Sequence, residues 1–204
     1  MTALSYKEYR LQKGSSRSGN FGHAGRPGLV GGSAPIGYQP TTLRLQKEIA
    51  SQTKKMKPLT KEKAVILDST GKIIKEFEGD EDTVEFDEEE DWPLMKDQIV
   101  IHNHPDGEPL SSDDFMLFIN TDMREFQAIG PEGAYKIAKL SKTDWTQEQV
   151  TEMREIYSTT YNKFLKEATD KGLSEHDAMH QAVTQTMSVI TDKYPIAYWY
   201  DPNL

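Results

Sequence analysis

The chain of 204 residues carries 33 acidic against 24 basic side chains, a net charge of -9, and no cysteine. Disulfide frameworks, thiolate metal sites and cysteine nucleophiles are therefore excluded, and so acidic a body repels a polyanion. A mean hydropathy of -0.70 leaves part of the chain with little to bury, and no apolar run reaches the length of a membrane span or a signal-peptide core, so a soluble, intracellular chain is expected.

Residues 1–40 hold eight of the fourteen glycines and three of the ten prolines, with Lys7, Arg10, Lys13, Arg17 and Arg26 against Glu8 alone. A stretch with a local charge of +4 and no apolar period predicts a flexible basic arm. Residues 41–142 read as a compact α/β unit. "TTLRLQKEIASQTKKM" predicts an opening helix ended by Pro58, and "KAVILDSTGKIIKEFEG" two strands about an Asp-Ser-Thr-Gly turn. An acidic connection with eleven carboxylates from Glu76 to Asp91 leads into a third strand at "QIVIHNHP". "SSDDFMLFINTDM" predicts a helix, and "EFQAIGPEGAYKIAKL" a hairpin turned by Gly-Pro-Glu-Gly.

Residues 143–204 change to helical period. Val150, Met153, Tyr157, Tyr161 and Phe164 recur at three- and four-residue steps, with Thr143 as the expected cap and Gly172 as the stop. Ser174 caps a second predicted helix, striped by Met179, Val183, Met187 and Ile190. The aromatic tail "IAYWYDPNL" follows Pro195, and its side chains are expected to pack on the core or the hairpin. The fold class expected is α/β (α+β): a mixed sheet with flanking helices, a Gly-rich arm before it and a helical hairpin after it, divided as 1–40, 41–142 and 143–204.

The chemistry concentrates in "IVIHNHPDGEPLSSDDF", residues 99–115, which holds two of only five histidines. On a strand, residues i and i+2 share a face, so His102 and His104 can aim both imidazoles at one point. Pro105 ends the ladder, and Asp114 falls in the first turn of the next helix. Two neutral imidazole nitrogens and one carboxylate oxygen leave a fourth position open, as catalytic rather than structural zinc sites do. The Ser111-x-x-Asp114 spacing is equally that of a helix capping box, which does not exclude ligation by Asp114.

"HNHPDGEPLSSDD" resembles the signature of the JAMM/MPN zinc metalloproteases, His-x-His-Pro followed by Ser-x-x-Asp, and its "HNHP" is close to the RadC-like branch. The resemblance implies a JAMM/MPN-like sheet with flanking helices over residues 60–140. It also implies zinc (Zn2+) held by His102, His104 and Asp114, with Ser111 helping to hold the oxyanion of a peptide or isopeptide substrate. The segment from His104 to Ser111 is slightly shorter than in many members. The family's general base, a glutamate at an early strand, matches Glu62 in "KEKAVILD"; Glu76 and Glu85 are rivals beside strand-like stretches. More loosely, "GHAGRPGLVGGSAP", "GD…TVEF" and "HNHP…S…D" resemble segments of tailed-phage or prophage proteins of head morphogenesis. That implies a bacterial host cytoplasm or a virion as the setting, with head or capsid proteins as candidate partners.

Three functions compete. The first is a JAMM-type hydrolase. The second is a non-catalytic phage interaction protein that keeps the metal-binding fold. The third is a RadC-like factor acting around DNA, which the acidic body disfavours although the +4 arm could meet a phosphate backbone. Sequence-specific nucleic-acid binding and membrane partners are not expected. "HDAMH" (His176 to His180) imitates a helical zinc motif but has Asp177 where Glu is required, and reads as a solvated helix face. "GLVGGS" lacks the lysine of a phosphate loop.

Overall fold

The computed structural model describes residues 42–202. The arm expected over 1–40 lies outside them. Helix α1 (Leu43–Met56) starts where the Thr42 hydroxyl accepts the Leu45 N–H at 3.2 Å, and ends just before Pro58. Its apolar stripe of Leu45, Ile49 and Met56 is buried. Strands β1 (Lys63–Leu67) and β2 (Ile73–Glu78) form the expected hairpin. Asp68 Oδ1 closes the turn by accepting the N–H groups of Thr70 and Lys72, and Gly71 supplies the positive φ of 84°.

The acidic connection begins in β2 and, past Glu78, stays outside helix and strand until α2 (Trp92–Met95). It is tied down by Val84 and Phe86 against the core and by buried Asp91, which accepts from Lys75 Nζ at 2.5 Å. Strand β3 (Ile99–Asn103), helix α3 (Ser112–Asn120) and strand β4 (Glu125–Gly130) follow. Because β3 and β4 pair in parallel, α3 is the crossover that such a connection requires. Strand β5 (Gly133–Lys139), helices α4 (Gln147–Asp170) and α5 (Glu175–Lys193), and strand β6 (Ile196–Asp201) complete the chain.

The sheet order is β2-β1-β3-β4-β5-β6, with every pairing antiparallel except β3 with β4. Alternate residues feed two layers. Ala64, Ile66, Val100, Phe126 and Ile137 pack with α3, α4 and α5, whereas Val65, Leu67, Ile99 and Ile101 pack with α1. Side chains such as Ile66 and Ile101, with no exposure at all, each contribute about 1.5–3 kcal/mol. No helix among the described residues is long and apolar enough to cross a membrane.

Two local expectations are corrected. Thr146, not Thr143, caps α4. Its Oγ1 accepts the Gln149 N–H while Gln149 Oε1 accepts the Thr146 N–H, a reciprocal pair that Thr143, with Thr146 three residues on, cannot make. The aromatic tail is not merely packing on the core: it is β6, pairing with β5 from Ala134↔Asp201 to Lys139↔Ile196. The segment after 142 is thus a helical hairpin followed by the sixth strand of the sheet. Gly133 is needed there, since a Cβ would lie 2.5 Å from Tyr200 Oη and 2.6 Å from the Asp201 carbonyl. Gly172 ends α4 with φ 78° and Ser174 caps α5, as expected; Met179 is only half-buried on its stripe.

Candidate metal centre

The centre lies at the carboxyl ends of the parallel pair β3 and β4, where the crossover to α3 begins; open α/β sheets bind their ligands at such places. His102 is paired with Ala128 of β4 and Ala64 of β1, and faces the α3 layer with Phe126 packed on its ring, 4.6 Å between centroids. His104 lies one residue past β3 but keeps the strand's parity, because its N–H still bonds the Ile129 carbonyl at 2.9 Å. Only then does the chain turn. Gly107 N–H returns to the His104 carbonyl with φ 77°, and the turn presses on β4 where a Cβ on Gly130 would meet Gly107 Cα at 3.0 Å.

The third side chain comes from a capped helix start. Ser111 Oγ accepts the Asp114 N–H at 3.0 Å, and Asp114 Oδ2 accepts the Ser111 N–H at 2.7 Å. This capping box leaves Oδ1 and the second lone pair of Oδ2 for the histidines. Phe115, buried and stacked on Tyr157 at 4.7 Å, anchors the same turn in the core. Asp114 Oδ1 lies 3.7 Å from His102 Nε2 and Oδ2 lies 3.5 Å from His104 Nε2, and the donor atoms of all three residues fall within 4.8 Å of one another. These three residues can hold a metal ion.

Their protonation agrees with that role. Burial drives the His102 imidazole down to about 4, against the pull of Asp114, so it is neutral at neutral pH. His102 Nε2 is buried and has no hydrogen-bond partner, a costly state for a polar atom unless a ligand completes it. His104 Nδ1 bonds the Glu108 carbonyl at 2.9 Å, which fixes the proton there and turns the Nε2 lone pair to the centre. Burial works to raise the Asp114 carboxyl, but the facing imidazoles and the Ser111 hydrogen bonds outweigh it and hold the group below the usual carboxylate range. The amino end of α3 favours the same charge.

Of the three glutamates considered as base, register separates one. Glu62 continues the β1 ladder, its N–H on the Asp80 carbonyl at 2.6 Å and its carbonyl accepting from Gly79 N–H at 2.8 Å. It therefore shares parity with Ala64, which pairs directly with His102, and it is 8% exposed. Glu76 pairs with Val65 on the opposite face and accepts from Lys63 Nζ at 2.7 Å. Glu85 is exposed and outside any strand. The "HDAMH" pair enters no metal-binding group among the described residues. His176 is exposed as expected, but His180 turns inward and meets the Tyr135 hydroxyl at 3.0 Å.

No protein-family model, curated protein or solved structure matches the chain. Function must therefore be argued from the residues of the centre.

Two participants escaped the sequence reading. The Glu108 carbonyl orients His104, and the half-buried Glu108 carboxyl is pushed up to about 7 by burial and then by Glu175. A residue four positions past a ligand carries no signal for a main-chain contact. Asn103 did carry one: between two ligands of equal parity, its side chain must serve something else.

Proposed function

We propose that the chain is a zinc-dependent metallohydrolase of JAMM type, cleaving a peptide or isopeptide bond. The observation that carries this reading is the partnerless, buried Nε2 of neutral His102, facing His104 and Asp114 on the sheet face shared by Glu62. Two imidazole nitrogens and one carboxylate oxygen suit zinc, and three protein ligands keep one position for reactants. A zinc ion bound there lowers the pKa of a coordinated water and polarises a carbonyl oxygen.

The chain's own residues supply the rest. His102 and His104 bind through Nε2, oriented by Phe126 and by the Glu108 carbonyl respectively. Glu62 takes a proton from the attacking water and returns it to the leaving amine. Ser111 Oγ spends an acceptor lone pair on the cap, and its O–H, which reaches the Asp114 carboxylate in the resting site, turns to donate to the developing oxyanion. The likeness of the Gly-rich segment and the His-Pro motif to head-morphogenesis proteins supports phage head proteins as substrates or partners, and a bacterial cytoplasm or virion as the setting.

The test is zinc content and cleavage measured together. Purified chain should retain about one zinc per molecule, lost in His102→Ala plus His104→Ala. Incubation with a peptide library, read by mass spectrometry, should give products that Glu62→Gln abolishes without loss of zinc. A chain that binds zinc yet yields no Glu62-dependent product is the non-catalytic interaction protein instead.

A further inference from the structure

Asn103 sits between the two histidines, is 1% exposed, and is barred by strand parity from the face they occupy. Its side chain reaches sideways to β1. Asn103 Oδ1 accepts the Lys63 N–H at 2.8 Å, and Nδ2 donates to the Lys61 carbonyl at 3.0 Å. Those two groups flank Glu62.

The backbone explains why a carboxamide stands here. Registered pairing of β1 with β3 ends at Ala64↔His102, while the chain beyond β3 stays with β4 through the His104 N–H. Along an antiparallel ladder, alternate residues turn their N–H and C=O to the same neighbour. Glu62 turns both of its groups towards β2, so the Lys61 carbonyl and the Lys63 N–H face β3. There they meet the Asn103 side chain in place of a peptide group. A carboxamide offers one acceptor and a donor at nearly the geometry of a peptide. A carboxylate would accept from Lys63 but oppose the Lys61 carbonyl, and a serine hydroxyl cannot span both.

The Glu62 backbone is consequently held from both sides, by Gly79 and Asp80 just past β2 and, through its two neighbours, by Asn103 of β3. Gly79 has no room for a Cβ, which would lie 2.2 Å from the Thr83 carbonyl and 3.0 Å from that of Glu62. We propose that Asn103 is a positioning residue, which locks the Glu62 backbone to the strand that carries His102 and His104 so that base and metal ligands move as one unit. The inference rests on the reading of Glu62 as the base, and it gives the residue between the ligands a task that neither ligation nor packing assigns.

A double-mutant cycle on the Co2+-loaded chain tests it. The pH midpoint of the visible absorption is followed in the wild type, Glu62→Gln, Asn103→Ala and the double variant, with zinc affinity measured by chelator competition. Glu62→Gln should move the midpoint, because a charged proton acceptor beside the bound water is gone. Asn103→Ala should move it in the same direction by a smaller amount and leave zinc affinity within about tenfold. In the double variant, Asn103→Ala should add nothing. Shifts that add overturn the proposal, since Asn103 then acts independently of Glu62, and an unmoved midpoint in Asn103→Ala overturns it too. Should Asn103→Ala fail to fold, Asn103→Asp keeps the acceptor for Lys63, loses the donor to Lys61, and enters the same cycle. If Co2+ binds but Glu62→Gln moves nothing, the base assignment falls and the positioning role with it. If no Co2+ binds, the metal centre itself is refuted, a distinct result that also ends the proposal.

Discussion

At the start of β3 and β4, buried Lys139 lies 2.6 Å from Asp122, 3.8 Å from Asp97 and 4.0 Å from Asp144, and Lys96 Nζ meets Asp144 at 2.5 Å. At the far end of β3, His102, His104 and Asp114 converge, and no Lys or Arg among the described residues pairs with Asp114. The first cluster gives each charge an opposite within reach, although Asp122 Oδ2 is itself buried without a hydrogen-bond partner. It even supports two aspartates in left-handed backbone, Asp97 at φ 59° and Asp122 at φ 55°, a conformation costing roughly 1 kcal/mol each. The second cluster is all acceptors, with one neutral imidazole whose Nε2 is unanswered. The first cluster balances carboxylates with lysines, whereas the second brings together three side chains that could hold a cation.

That contrast can be broken most directly at Lys139. Lys139→Met leaves the buried Asp122 carboxylate without its cation and should cost about 3–5 kcal/mol in urea unfolding, with the metal centre unaffected in whatever fraction stays folded. A loss below about 1 kcal/mol would falsify its structural role. The next effect is about 3 kcal/mol and belongs to the other end. His102 is lowered from 6.5 to about 4, so the unfolded chain binds its proton more readily. Stability of the metal-free chain is then fully present above pH 6.5 and lost as pH falls towards 4. Thermal melts in chelator should show this limb, Lys139→Met should keep it and His102→Gln should flatten it.

Zinc at a hundredfold excess over its dissociation constant should add about 2.7 kcal/mol to stability, through mass action on the folded state. His104→Ala should show no such gain in calorimetry, while Lys139→Met shows the full one; a gain in both, or in neither, removes the distinction between the clusters. Smallest is Ser111→Ala, about 1 kcal/mol from the lost cap, visible in melts even without metal. If Ser111 also serves the oxyanion, its loss in hydrolysis should exceed anything so small a change in stability explains.

Much of the centre was legible because it depends on local periods. Strand parity makes His102 and His104 neighbours on one face, and Ser111-x-x-Asp114 fixes a helix start whose third residue points back. The cap at Thr146 was equally visible as Thr-x-x-Gln, and β6 as an alternation of Ile196, Tyr198 and Tyr200. Both were overlooked because a nearer threonine and a terminal position offered simpler readings. The choice among Glu62, Glu76 and Glu85 was not legible: all three are carboxylates in or beside strand-like sequence, and only the pairing of Ala64 with His102 and of Val65 with Glu76 assigns their faces. Nor was the Lys139 cluster, whose aspartates at 97, 122 and 144 share no local pattern.

By itself, then, the sequence determined most of the elements and the His-His-Asp triad, since backbone periodicity and capping act over a few residues. Tertiary structure alone decided which glutamate shares the face of the two histidines, that Asn103 bridges β3 to β1, and that the aromatic tail pairs with β5 as the sixth strand of the sheet. Those outcomes turn on hydrogen-bond register between strands distant in the chain, which a one-residue slip would invert.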